Sequence, residues 1–215
     1  MKINYQKMLD EKLCELEREN RRPSLLLHAC CAPCSTYVLE YLSGYFDITV
    51  YFYNPNIYPE SEYFFRADEL SRFVEDCYKN KAIKVVCENY NSSEFYEAVK
   101  GRESDSEGGD RCRLCYELRL ARSAEYAAAN GFDYFTTTLS ISPHKNAEWL
   151  NDIGKKCAEK NNVEYLCSDF KKKNGYKRSC EITNEYGMYR QNYCGCVFSM
   201  RDALAKNQCD EKFNN

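Results

Sequence analysis

Seven cysteines fall in three tight groups: Cys30, Cys31 and Cys34 in "HACCAPCS", Cys112 and Cys115 in "CRLC", and Cys194 and Cys196 in "YCGC". A thiolate is a metal ligand or a nucleophile, and two neighbouring thiols make a two-electron reductant, so such groups point to metal or redox chemistry. The other use of many cysteines, a disulfide framework, belongs to small exported domains. This chain has 215 residues and 14 cysteines, and no signal-type apolar segment follows Met1 and Lys2. The seven ungrouped cysteines (Cys14, Cys77, Cys87, Cys157, Cys167, Cys180 and Cys209) are read as small buried hydrophobes, the usual state of a lone thiol.

Spacing says more about each group. Cys112 and Cys115 are three apart at the start of an expected helix, so both thiols leave one face. The helix N-terminus there favours the thiolate. Alone, this C-x-x-C would also suit a thioredoxin-like dithiol. Cys30 and Cys31 would point to opposite sides of a continuing strand. Pro33 disfavours helix at Ala32, so the backbone is expected to turn there and let the thiols converge. Gly195 permits Cys194 and Cys196 to wrap around a ligand. One structural zinc closes its shell with four ligands. Seven grouped thiols exceed that count and favour a four-cysteine iron–sulfur cluster with a second metal or a redox dithiol, a zinc site remaining open. His28, at a strand end beside the first group, suits a ligand or acid as well as a hydrogen-bonded core histidine.

The segments between these groups alternate in a way that positions them. Residues 4–20 carry Met8, Leu9, Leu13 and Leu16 at helical spacing. "SLLLHA" reads as a buried strand, followed by the cysteine loop and a helix from Ser35 to about Ser43, with Ser35 as N-cap. "FDITVYFYN", "AIKVVCE", "FDYFTTT" and "VEYLCS" are four more strands. Between them lie a helix over 59–81 with Phe65, Leu70, Phe73, Val74 and Cys77 on its apolar face, a short helix at "SSEFYEAVK", an acidic glycine loop over 101–110, the C-x-x-C helix, and "NAEWLNDIGKKCAEKN" capped by Asn146. Strands alternating with helices predict a parallel sheet with helices on both faces. Such sheets bind ligands beyond the carboxyl ends of their strands, where the first cysteine loop, "SISPHKN" and the segment after the fifth strand all fall. The expected organisation is an N-terminal helix over 1–22, an α/β core over 23–168, and a basic, aromatic C-terminal cap with the CGC motif over 169–215, in one structural domain.

Composition bounds the partners. The chain is 44% hydrophobic with a net charge of −3, and no apolar run nears the roughly 20 residues of a bilayer span, so the expectation is a cytoplasmic protein with no membrane partner. Global charge gives no argument for nucleic acid, which leaves local patches to supply one. "FKKKNGYKRS" offers Lys171, Lys172, Lys173, Lys177 and Arg178 around a glycine and a tyrosine, and taken alone reads as a solvated charge run.

"HACCAPCS", "CRLCYELRL", "SPHKN" and "YCGC", in this order over residues 25–199, resemble the QueH family of epoxyqueuosine reductases. The resemblance implies a Rossmann-like fold of the HUP type shared with ATP pyrophosphatases, and reduction of epoxyqueuosine to queuosine in the tRNA anticodon loop. It implies a [4Fe-4S] cluster with Cys30, Cys31, Cys112 and Cys115 as ligand pool, and an adjacent mononuclear iron or other metal at Cys34, where some family members carry Asp. Cys194 and Cys196 match the family's terminal pair, as ligands or as a reducing dithiol. In that light the basic run becomes a phosphate-contacting surface, His144 and Lys145 face the substrate, and Tyr189, Arg190 and Gln191 either hold the nucleoside or pack the cap. An external electron donor is required. ATP use is disfavoured because "CCAPCS" replaces the glycine-rich phosphate loop. The rival of another class is a zinc-stabilised RNA-binding module without catalysis.

Overall fold

Three consecutive leucines need burial on both sides, and strand β1 (Ser24–His28) obtains it at the centre of the sheet. The structure, a computed structural model, describes residues 3–213, with side chains as far as residue 205. β1 pairs in parallel with β2 (Asp47–Phe52) on one side and β4 (Tyr134–Thr137) on the other. β3 (Lys84–Cys87) lies beyond β2 and β5 (Glu164–Tyr165) beyond β4, giving the order β3-β2-β1-β4-β5 with every strand parallel. Leu25 stands opposite Ile48 and Tyr134, and His28 opposite Tyr51 and Thr137, so the three central strands end together.

Side-chain alternation divides the core into two layers. Leu25 and Leu27 join Val50 and Phe52 beneath α2 (Ala32–Leu42) and α3 (Glu60–Tyr78), while Leu26 joins Tyr51 and Phe135 beneath α5 (Asp110–Ala129) and α6 (Ala147–Asn161). Each leucine so buried contributes about 1.5–3 kcal/mol. α1 (Tyr5–Arg18) adds Leu9, Leu13 and Leu16 to the first layer, but Met8 faces solvent. On α3 the expected apolar Phe65 is also exposed and packs edge-on against Tyr189 instead. α4 (Ser92–Ala98) precedes the acidic loop. The protein is therefore a Rossmann-like parallel sheet with helices on both faces.

Three local expectations fail for physical reasons. α2 starts at Ala32 rather than near Ser35, because Pro33 sits in its first turn, where a missing N–H costs nothing. Cys31 is the N-cap residue, in extended backbone, and the Ser35 hydroxyl donates back to Cys31 O at 2.8 Å. β5 has two residues where six were expected: Asn151 exchanges two 2.9 Å hydrogen bonds with the Ser168 backbone and draws the chain away from β4. The cap contains two helices the polar sequence did not announce, α7 (Gly175–Glu185), packed along α2, and α8 (Val197–Phe213). Gly175 permits the first, since a Cβ there would collide with the Phe170 carbonyl and the Tyr37 ring.

Candidate metal centre

β1 delivers Cys30 to the carboxyl edge of the sheet, and the early start of α2 folds Cys31 and Cys34 back toward it. The Cys30 and Cys31 sulfurs are 3.8 Å apart, and all three sulfurs lie within 4.8 Å of one another. Convergence comes from the helix turn at Ala32, not from a break in it. Hydrogen bonds from Cys31 and Cys34 hold the Cys30 thiol well below its usual range. The thiols tied to Cys30 move the other way, Cys31 to about 12 and Cys34 well above the normal value. The three thiols therefore share their protons unequally, with Cys30 the one favoured to ionise.

Cys112, Cys115, Cys194 and Cys196 form the neighbouring group. Cys115 and Cys196 are buried in one apolar cluster with Phe95, Val99 and Phe198. Cys112 accepts from the Gly108 N–H at 3.3 Å, and Cys196 from the Ser199 N–H at 3.4 Å. Without metal, burial pushes the Cys112 thiol up, and that of Cys115 to about 12, against the pull expected of the α5 N-terminus. Cys194 accepts a 2.9 Å hydrogen bond from Lys145 Nζ. Burial works against the Lys145 charge, but Cys194 and then Tyr116 outweigh it and keep the ammonium protonated well above its usual range. Among the described residues, only Cys30, Cys31 and Cys34 form a compact ligand trio.

A cavity of about 420 Å³ opens on this edge, its wall made by Cys30, Cys31, Cys34, Cys194, Lys145 and Arg190. That volume suits a small-molecule or nucleoside group. The CGC turn closes one side. Gly195 has φ +125°, its carbonyl accepts from the Tyr58 N–H at 2.8 Å, and an added Cβ would lie 3.1 Å from Arg66 Nη1.

The expected His28 role does not survive the geometry. His28 is fully buried, with Nδ1 2.8 Å from Thr137 Oγ1 and Nε2 3.1 Å from Tyr53 O. A carbonyl can only accept, so Nε2 carries the proton and Nδ1 accepts from threonine. Both ring nitrogens are committed, and burial, aided by Arg119, lowers its pKa to about 3. It is a neutral core histidine, with no lone pair for a metal and no proton to give. Of the lone cysteines, Cys14 and Cys87 are exposed and Cys77, Cys157, Cys167 and Cys180 half-buried, so the buried-hydrophobe reading fails for the first two; Cys209 lies outside the described side chains.

The RNA-facing candidates divide. His144 is exposed, lines the same cavity, and borders with Lys145, Lys171 and Lys172 a neighbouring recess of about 710 Å³. Arg190 stacks over Tyr176 at 5.6 Å and donates to Thr183 Oγ1, while Tyr189 is exposed with its N–H on Glu69. Much of the basic run is already paired: Lys171 with Asp169 at 2.6 Å, Lys173 with Asp10 at 2.7 Å, and Arg178 with Glu40 at 2.8 Å and Glu185 at 3.1 Å. Among the described residues no carboxylate pairs with Lys172 or Lys177.

Sequence reasoning missed three arginines. Arg66, Arg111 and Arg119 are 1–2% exposed, and Arg66 Nη2, Arg111 Nε and Nη2, and Arg119 Nε have no hydrogen-bond partner. The signal was present: Arg119 follows Cys115 by four and Cys112 by seven, and Arg66 lies in the Tyr63, Ala67, Leu70 stripe, so both fall on buried helix faces. Buried cations with orphaned N–H groups are costly unless something anionic faces them. A soft metal held by several thiolates is such a group, so the donor set and its cationic surroundings fit a thiolate metal centre, an iron–sulfur cluster included.

Fold and centre together define a class: a Rossmann-like α/β protein with a cysteine cluster able to hold a metal at the carboxyl edge of its sheet. The family model described as epoxyqueuosine reductase QueH matches residues 25–202. The chain belongs to that family, and is by that membership an oxidoreductase. It is 46% identical over 202 residues to the epoxyqueuosine reductase QueH of Streptococcus pyogenes serotype M1, covering 93% of this chain and 79% of that one. It is 47% identical over 203 residues to the QueH of Staphylococcus epidermidis, covering 92% and 85%. Among solved structures, the U34-tRNA thiolase NcsA from Methanococcus maripaludis with its [4Fe-4S] cluster aligns at a TM-score of 0.48 and 12% identity, over 98% of this chain and 79% of that one. That likeness is too slight to inform the chemistry of this chain. No helix among the described residues is long and apolar enough to cross a membrane.

Proposed function

We propose that this protein reduces epoxyqueuosine to queuosine in the anticodon loop of tRNA, using a [4Fe-4S] cluster and an adjacent metal held by its grouped thiols. The observation that carries the reading is the convergence of Cys30, Cys31 and Cys34, with Cys194, on one cavity wall at the carboxyl edge of the sheet, in a chain of the QueH family. Deoxygenation removes the epoxide oxygen as water and leaves an alkene, consuming two electrons and two protons, with the electrons drawn from an external donor. When bound, the cluster supplies single electrons and the second metal a Lewis acid.

Cys30, Cys31, Cys112 and Cys115 are the ligand pool for the cluster, and Cys34 the ligand of the second metal. Lys145 fixes Cys194 through its 2.9 Å hydrogen bond and keeps a cation on the cavity wall. Arg190 on Tyr176, with Lys172 and Lys177 nearby in sequence, meets the nucleic acid at and beside the cavity mouth. Every cysteine among the described side chains is free, which suits a reducing cytoplasmic compartment.

The test is anaerobic purification with iron and sulfide analysis, then incubation with epoxyqueuosine-containing tRNA and a low-potential reductant, read by nucleoside mass spectrometry. Iron, sulfide and a nucleoside lighter by one oxygen are expected. Zinc without sulfide and an unchanged nucleoside would replace the reductase with an RNA-binding module. The Cys34→Ala variant is expected to lose metal and turnover; retention of both would remove Cys34 from the centre.

A further inference from the structure

Thiols account for metal binding, but not for a guanidinium buried among them. Taking a charge out of water costs several kcal/mol unless a partner answers it. Arg119 is 2% exposed. Its Nη2 donates to Asn54 Oδ1 at 2.5 Å, a neutral acceptor, and its Nε has no partner. Asn54 is itself pinned by a 2.9 Å hydrogen bond from Nδ2 to Ala29 O, the residue before Cys30. Arg119 is therefore held rigidly against the strand that presents the first thiols. Cys115 lies one turn before it on the same face of α5, and Cys115, Cys30 and Cys194, one from each of the three cysteine groups, are the thiols whose ionisation would favour its charge. No other residue on α5 bridges them in this way: Cys112, Cys115 and Arg119 lie on one helix face, and Arg119 alone of them is a cation.

We propose, building on the metal-centre reading above, that Arg119 is a positioning residue, the fixed counter-cation of the thiolate centre, set among the three cysteine groups by Asn54. It makes loading of an anionic metal–thiolate group favourable, and it stabilises the further negative charge that reduction adds, which raises the potential of the centre. Its cost is borne by the empty protein, where the acceptor it reaches is the neutral Asn54 Oδ1 and its Nε has none. A residue kept for packing would behave in the opposite way, contributing to the empty fold and leaving metal affinity alone.

The experiment compares wild type with Arg119→Met, which keeps the length and removes the charge, and Arg119→Lys, which keeps the charge and loses the fork. Metal-free protein is melted by calorimetry, cobalt(II) is titrated into it anaerobically as the probe, and the iron-loaded protein is titrated for its midpoint potential by electron paramagnetic resonance. Arg119→Met is expected to melt at or above wild type when metal-free, to bind cobalt(II) roughly 10–100-fold more weakly, and to show a more negative potential once iron-loaded, with Arg119→Lys recovering most of the last two. An Arg119→Met protein that fails to fold or melts lower without metal, or that binds cobalt(II) as wild type does, would overturn the proposal. The melting and cobalt(II) arms do not depend on the native metal being iron, so they stand even if the reductase reading falls.

Discussion

Two sets of cations in this protein are partnered in opposite ways. On the surface, where water would solvate them cheaply, Lys171, Lys173 and Arg178 are held by carboxylates. In the interior, where an unanswered charge is costly, Arg66, Arg111 and Arg119 keep N–H groups with no acceptor. The difference teaches where function lies. A basic run that already has its counter-charges has less to offer a phosphate backbone than its composition suggests, and a buried cation without one is waiting for an anion.

The comparison is sharpest between two buried arginines. Arg66 has a real partner, its Nε donating to Glu62 at 2.7 Å, and it also lies 5.3 Å over the Tyr193 ring beside the CGC turn. Arg66→Met is therefore expected to destabilise the metal-free protein by about 3 kcal/mol, since it strands Glu62, whereas Arg119→Met is expected not to. Urea unfolding of the two variants side by side checks this; equal losses would erase the distinction. Next in size is Gly195→Ala, which places a Cβ 3.1 Å from Arg66 Nη1 in a backbone of φ +125°. About 1–3 kcal/mol of stability is expected to go with it, and metal content per chain, measured after anaerobic loading, is expected to fall as the CGC turn shifts.

The surface set should respond more weakly. Reversing Lys172 and Lys177 together is expected to weaken tRNA binding about tenfold and flatten its salt dependence. Arg178→Glu, which removes a cation already shared by Glu40 and Glu185, is expected to change affinity less than threefold in the same filter-binding assay. The smallest effect belongs to Asp10. Its partial burial acts to raise its pKa, but hydrogen bonds from Lys173, Tyr41 and Gln6 outweigh that and leave it below the ordinary 3.8. A carboxyl lowered on folding contributes stability above its unfolded pKa and loses it as pH falls through the native value. Asp10→Asn is thus expected to cost about 0.5 kcal/mol at pH 7, a gap that denaturant melts at successively lower pH should show closing below pH 3.8.

Much of this was legible beforehand because periodicity and the cysteine groups are both local signals. β1 announced itself through Leu25 to Leu27, and α5 through the repeat that carries Cys112 and Cys115. What escaped were features decided by tertiary partners. Pro33 could break or begin a helix, and only its place in the first turn of α2 settles which. His28 resembled a ligand until Thr137 and Tyr53 were seen to occupy both nitrogens. Arg119 drew no reading from the sequence; its spacing from Cys115 was visible, but its burial and its hydrogen bond to Asn54 were not.

The Tyr58 to Gly195 hydrogen bond joins the loop after β2 to the last cysteine motif. Its consequence concerns biogenesis. Residues 30–34, 112–115 and 194–196 leave the ribosome far apart in time, and the first trio, emerging early, has no cap over it and no Lys145 beside Cys194. A centre walled by all three can be completed only after the final segment has docked. A nascent chain stalled before α7 thus already carries Cys30, Cys31, Cys34, Cys112 and Cys115, but lacks Cys194 and Arg190, which complete the wall of the cavity beside them.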